Sequence, residues 1–217
     1  MATKPFKRIN WGLIPYPKAL ERMRRLHAAR AQDKGRDMFI CCEHPHVLTL
    51  GRHAEPDNIL LNDEELAAKG LTVFKVERGG QVTYHGPGQA VVYLVVSLLR
   101  RGLGVRRLVE GITQAVCDAA AEFGVKATGD PERPGAWVGG RKLAAIGLAV
   151  RQGVTMHGLA LNVSTNLNYF GYIKACGLDA VTTSLAQESG QPPPLPQVHD
   201  ALCAHLEQEL DAPAPAY

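Results

Sequence analysis

The sequence predicts an α/β fold of the α+β kind, with a mixed central sheet flanked by helices. Stretches of helical periodicity are interleaved with short strand-like runs, two of those runs meet at a tight glycine turn, and neither an internal repeat nor a regular βα alternation is present. An all-parallel sheet is therefore not expected. A chain of 217 residues can bury a real core, and we expect one domain over 1–211 with a flexible, alternating Ala-Pro tail at 212–217.

Taken in order, 17–31 is predicted as a helix, because Pro17 suits a first turn and Leu20, Met23 and Leu26 make a narrow apolar stripe. Strands are predicted at 38–42 and 47–50, interrupted by His44-Pro45 and ended by Gly51. Asn62, with Glu65 three residues on and Gly70 beyond, frames a short helix as a capping box and a terminal glycine would. The alternating run 73–76 reads as a half-buried strand, and the almost wholly apolar 90–99 as a strand covered on both faces. A long helix is predicted at 105–123, with Leu108, Val109, Ile112, Val116, Ala119 and Phe123 on one face and Gly124 as its stop. Gly139-Gly140 then turns a hairpin between Trp137-Val138 and 141–150, and a strand at 155–163 should pair beside it. After the proline cluster at 192–196, Val198, Leu202, Leu206 and Leu210 recur every four residues and predict a last helix.

Composition narrows the function. No stretch approaches the roughly 20 apolar residues of a membrane helix, and the N-terminus lacks a secretory hydrophobic region, so a cytoplasmic protein is expected. Five cysteines, at 41, 42, 117, 176 and 203, form no disulfide framework in a chain of this size and read as free thiols. The net charge of +3 is modest and the basic residues are spread out, which argues against nucleic acid as a partner. Cys41, Cys42, His44, His46 and His53 match no zinc spacing, and neighbouring strand residues point to opposite faces, so no metal site is expected.

Chemistry is concentrated in three places. The segment 78–89 (Arg78, Gly79, Gly80, Gln81, Val82, Thr83, Tyr84, His85, Gly86, Pro87, Gly88, Gln89) is a bent, glycine-rich stretch rich in polar side chains just before an apolar strand. Pro87-Gly88 suits the centre of a type II turn. A tight connection would explain the glycines; a binding loop explains the polar residues as well. Lys142 opens a strand of small and apolar residues, where an isolated lysine is ordinarily a solvated charge. Cys176 lies in Ala175-Cys176-Gly177, and a lone cysteine is ordinarily a small buried hydrophobe. A thiol with a reference pKa near 8.5 needs a neighbouring cation or base to act as a nucleophile. Lys142 can serve as ammonium or, with its own pKa lowered by burial, as proton acceptor; His157 and His85 are rival bases.

Together, Glu43-His44-Pro45 through Thr49-Leu50-Gly51-Arg52, Asn58-Ile59-Leu60, the segments 78–89, 141–147 and 155–162, Ala175-Cys176-Gly177 and Thr183-Ser184-Leu185 resemble the lipoyl(octanoyl) transferase family. That family sits within the biotin and lipoate protein ligase-like group, and the resemblance spans roughly 39–185. It implies a largely antiparallel sheet of the biotin/lipoate ligase catalytic-domain type. Cys176 would form an acyl-thioester, Lys142 would lower its pKa and move protons, and His157 is a possible auxiliary. Arg78 to His85, Ala145, Ile146, Gly147, Gly158, Leu159 and Ala160 would line the acyl pocket. Backbone amides near Gly177 or in the Arg78 loop are candidate oxyanion donors. The implied reaction moves an octanoyl or lipoyl group from acyl carrier protein to a lysine of a lipoyl domain, in 2-oxoacid dehydrogenase complexes or the glycine cleavage H protein, with no ATP or metal. Arg22, Arg25, Arg100, Arg101, Arg106 and Arg107 are candidates for steering an acidic carrier, against their commoner role in solubility. Two alternatives remain: an ATP-dependent lipoate-protein ligase, and a non-catalytic acyl-binding module.

Overall fold

The computed structural model describes residues 5–174 and 181–211. Its main sheet has seven strands in the order β1-β2-β6-β10-β9-β8-β7, from Lys7–Leu13 (β1), Met38–Glu43 (β2), Gln89–Val95 (β6), Thr128–Gly129 (β7), Gly135–Val138 (β8), Arg141–Arg151 (β9) and Val154–Asn162 (β10). Only β1 and β2 run parallel in this sheet; every other pairing is antiparallel. A smaller sheet, ordered β4-β3-β5, holds Val47–Leu50 (β3), Thr72–Lys75 (β4) and Val82–His85 (β5). The fold class expected from the sequence is the one observed.

Helices cover both faces of the main sheet. On one face lies α1, Tyr16–Ala31, which buries Tyr16, Ala19, Leu20 and Met23 against Ile40, Val91, Val95 and Ala160. On the other lie α4, Val105–Glu122, and α6, Leu195–Asp211, packed on each other and on Phe39, Val92, Leu94, Leu159 and Leu161. Double coverage is why β6 and β10 are buried along their whole length. The capping box of α2, Asp63–Ala68, forms as the sequence indicates: Asn62 Oδ1 accepts from the Glu65 amide at 2.9 Å and Glu65 Oε2 from the Asn62 amide at 2.9 Å.

Some expectations need correction. The strand predicted over 90–99 ends at Val95, because Ser97 caps a short helix, α3, at Leu98–Arg101. Strand β1 is an exposed edge strand whose alternation is too weak to read. Helix α6 begins inside the proline cluster, at Leu195. Arg101 is no surface charge: its side chain, 1% exposed, ion-pairs with Asp37 at 2.7 Å and with Asp211, and lies 3.6 Å from the centre of the Phe6 ring. Among the described residues no helix is long and apolar enough to cross a membrane. The tail at 212–217 and Cys176 fall outside the described residues.

Candidate functional site

Strands β9 and β10 form a hairpin closed by Gln152 and Gly153, at φ +52° and +70°, and β9 is entered through Gly139 and Gly140, at φ +53° and +79°. Paired positive φ values are what two-residue hairpin turns require, which is the role the sequence assigned to the second pair. The Gln152-Gly153 turn fixes the register that sets Gly147 opposite Gly158 and Ala145 opposite Ala160. Gly158 has no room for a side chain, and Gly147 has little. A Cβ on Gly158 would stand 2.1 Å from the Val92 carbonyl oxygen, and one on Gly147 would stand 3.0 Å from Cδ of Arg78.

Opposite this hairpin stands the loop between β4 and β5. Arg78, buried, donates from Nη2 to Thr49 O at 2.6 Å and Thr49 Oγ1 at 2.8 Å, and from Nη1 to Gly79 O at 2.9 Å. Backbone bonds lay the loop against Gly51 and Arg52, and the Gly79 amide donates to Leu148 O at 2.9 Å. That amide is thereby spent, which removes it from the oxyanion donors considered above. The Gly86–Gln89 turn closes through Gln89 N to Gly86 O at 3.3 Å with Gly88 at φ +78°, as a type II turn needs.

Between hairpin and loop lies a cavity of about 330 Å³, mostly apolar in its lining. Arg78, Gly79, Gly80, Gln81, Val82, Thr83 and His85 line one side; Ala145, Ile146, Gly147, Gly158, Leu159 and Ala160 line the other, with Lys142 and His157 also on the wall. Tyr84 does not join them. It is turned to the other face of β5, fully buried, with its hydroxyl 2.8 Å from His46 Nδ1 and its ring stacked on Tyr169. Alternation along a strand is the reason, since Thr83 and His85 point one way and Tyr84 the other. Sequence reasoning missed Tyr16, Tyr93, Asn162, Phe170 and Thr182, which also line the cavity.

The polar groups of the cavity are linked. His85 Nδ1 donates to Gln89 Oε1 at 2.7 Å, and Gln89 Nε2 donates to Asn162 Oδ1 at 2.9 Å. Burial above all, then the neighbouring His44, lowers the His85 pKa to about 3. His44 is itself lowered to about 4 by burial, donating to Ile14 O at 2.7 Å and accepting from the Tyr93 hydroxyl at 2.6 Å. His157 sits at φ +60°, a strained value for a non-glycine residue, with Nε2 3.7 Å from Glu77 Oε2. Burial lowers its pKa too. These histidines are neutral near pH 7, so none is a cation for a thiolate there. Lys142 is half-buried, with Nζ 4.8 Å from the centre of the Trp137 ring, a cation–π arrangement at the cavity wall.

Of the segments flanking 175–180, the one after it is bonded to Lys142 and the one before it to Asn58. The Lys174 amide donates to Asn58 O at 2.9 Å, and Lys142 N donates to Val181 O at 2.8 Å while Lys142 O accepts from Thr183 N at 2.9 Å. Cys41 and Cys42 face opposite sides of β2. Cys41 Sγ lies 3.5 Å from Cys203 Sγ, and Cys42 Sγ lies 3.6 Å from His44 Nε2. Among the described residues no group of three or more His, Cys, Asp or Glu is placed to hold a metal ion.

A mixed sheet flanked by helices is also the fold of solved lipoate and biotin protein ligases. A lipoate-protein ligase A crystallised with ATP superposes with a TM-score of 0.73 at 15% identity, covering 94% of this chain and 85% of that one. Biotin protein ligase from Aquifex aeolicus superposes with a TM-score of 0.53 at 9% identity, covering 94% and 69%. The model of the lipoyl protein ligase A/B catalytic domain matches residues 15–207, and the chain belongs to that family. Its sequence is 41% identical to an octanoyltransferase of Syntrophobacter fumaroxidans over 92% of this chain and 88% of the relative. It is 42% identical to one of Bacteroides thetaiotaomicron over 94% of each, and 38% identical to one of Neisseria gonorrhoeae over 94% and 96%.

Proposed function

We infer that this chain is an octanoyltransferase of lipoate biosynthesis, acting through Cys176 and Lys142. The observation that carries the reading is Lys142, set on the wall of an apolar cavity with its backbone bonded to Val181 and Thr183, a few residues beyond Cys176 in the chain. Relatives near 40% identity over nearly the whole chain, all named octanoyltransferase, support it.

In the first step the Cys176 thiolate attacks the carbonyl carbon of an acyl-thioester on the carrier. A tetrahedral oxyanion forms, the carrier's sulfur leaves and takes a proton, and the acyl group is left on Cys176. In the second step the ε-amine of a target lysine attacks this new thioester, loses a proton, and expels the Cys176 thiolate as the amide forms. Lys142 stabilises the thiolate as an ammonium and passes the protons, with His157 as an auxiliary. The apolar walls, from Ala145 to Gly147 and Gly158 to Ala160, take the acyl chain, with the loop 78–81 and Thr83 and His85 of β5 facing them. Thioester substrates already carry the activation that a ligase draws from ATP, so neither nucleotide nor metal enters. The donors are acyl carrier protein and its octanoyl or lipoyl group; the acceptors are the lipoyl domains of 2-oxoacid dehydrogenases and the glycine cleavage H protein. One catalytic domain over 1–211, working in the cytoplasm, is part of the same reading.

Intact mass spectrometry after mixing the protein with octanoyl-loaded carrier in the absence of ATP tests it. One octanoyl adduct on the wild type, absent from Cys176→Ala and slowed in Lys142→Ala, is the expected result. Absence of any adduct until ATP and free octanoate are supplied would instead establish the ligase chemistry of the lipoate-protein ligase A fold relative.

A further inference from the structure

Glu188 lies outside the cavity, on the short helix α5, Leu185–Ser189, yet it closes a ring of interactions around Lys142. Arg141 donates to it from Nε at 3.0 Å and from Nη2 at 2.9 Å, and the buried Thr183 donates its hydroxyl at 2.5 Å. Arg141 is the covalent neighbour of Lys142, and Thr183 N donates to Lys142 O at 2.9 Å. Thr183 is fixed from a further side, since its carbonyl accepts from Asn162 Nδ2 at 3.0 Å, the same Asn162 that accepts from Gln89. Ser184 caps α5 through the Gln187 amide at 3.2 Å and holds Glu188 in place.

We propose that Glu188, through Arg141 and Thr183, is a positioning residue for Lys142, the partner that the dyad reading gives to Cys176. One carboxylate ties the start of β9 to Thr183, which is bridged to β9 beside Lys142, so it fixes the backbone that carries Lys142. The inference rests on the dyad reading above. Arg141, and after it Thr183, hold the Glu188 carboxyl below the usual carboxylate range, so it is ionised and accepts from both donors near neutral pH. The attraction between ammonium and thiolate falls with distance, and a misplacement near 1 Å in a catalytic pair can cost on the order of a hundredfold in rate. Loss of the ring should therefore raise the thiol's apparent pKa while leaving acyl-chain binding alone.

The test follows the pH dependence of iodoacetamide labelling at Cys176, read from its peptide by mass spectrometry, together with single-turnover acylation by octanoyl carrier. Glu188→Gln, Thr183→Val and the half-exposed Arg141→Gln should each move the labelling inflection upward, toward that of Lys142→Ala. Each should also slow acylation about tenfold at saturating carrier, with the half-saturating concentration unchanged. Thr183→Ser, which keeps the hydroxyl, should behave as wild type. If Lys142→Ala shifts the inflection but these three variants do not, the positioning role is refuted and the dyad stands. If Lys142→Ala leaves the inflection in place, the dyad reading fails and the proposal fails with it.

Discussion

The two walls of the cavity are built by different means. The β9–β10 wall takes its shape from a backbone ladder and from residues small enough to leave room, Ala145, Gly147, Gly158 and Ala160. The loop wall takes its shape from a few buried side-chain bonds, above all the fork of Arg78 on Thr49. The ladder wall should therefore be sensitive to added atoms, and the loop wall to lost donors.

Gly158→Val is the severest way to break the first wall. Its Cβ would stand 2.1 Å from the Val92 carbonyl oxygen and 2.7 Å from Cδ1 of Leu94, so β6 and β10 must separate. Overpacking typically costs about 1–3 kcal/mol and occasionally more, and here we expect at least the upper figure, since backbone rather than side chain must yield. Urea denaturation checks it; a variant as stable as wild type would show that the ladder is more pliant than described.

Arg78→Met attacks the second wall by removing the charged donor that bonds Thr49 O, Thr49 Oγ1 and Gly79 O. A hydrogen bond to a charged group contributes about 1.5–3 kcal/mol, so we expect a loss of about 2 kcal/mol, with increased hydrogen exchange over 78–81 and little change in 154–162. Equal exchange in both walls would erase the distinction between them.

The smallest effect per residue is that of acid. His44 and His85 have pKa values lowered by burial to about 4 and about 3, and His157 is lowered too. Each is neutral when folded and protonates near pH 6.5 when unfolded, so below that pH the unfolded state binds more protons. The stability they contribute is complete above pH 6.5 and is lost as pH falls toward the folded pKa. Between pH 6.5 and 5.5 the loss should be on the order of 1 kcal/mol for His44 and the same for His85, with His157 adding in the same direction. Denaturation midpoints at the two pH values measure it, and His85→Asn should show a shallower dependence than wild type.

The sequence shows much of this architecture wherever the determinant is local. The capping box of Asn62 and Glu65, the glycine pair before β9 and the four-residue repeat of α6 each depend on neighbours in the chain, and each forms. What stayed hidden depends on distant partners. Asn162 looks like an ordinary strand-end residue until Gln89, 73 positions away, donates to it, and Tyr16 becomes part of the cavity only because α1 packs across β6 and β10. The direction of Tyr84 was legible in principle from strand alternation, but only once β5 is recognised as a strand separate from β6.

The tight turns at both ends of β9 also bear on how the site comes into being. Hairpins closed by two-residue turns form on the microsecond scale, whereas pairings across long loops wait on larger losses of chain entropy. The strand carrying Lys142 can thus find β8 and β10 from sequence-near contacts alone. The fork of Arg78 on Thr49, 29 residues back along the chain, has a longer loop to close. The cavity is then a late product of folding: one wall rises early and alone, and the binding space exists only when the slower one arrives to face it.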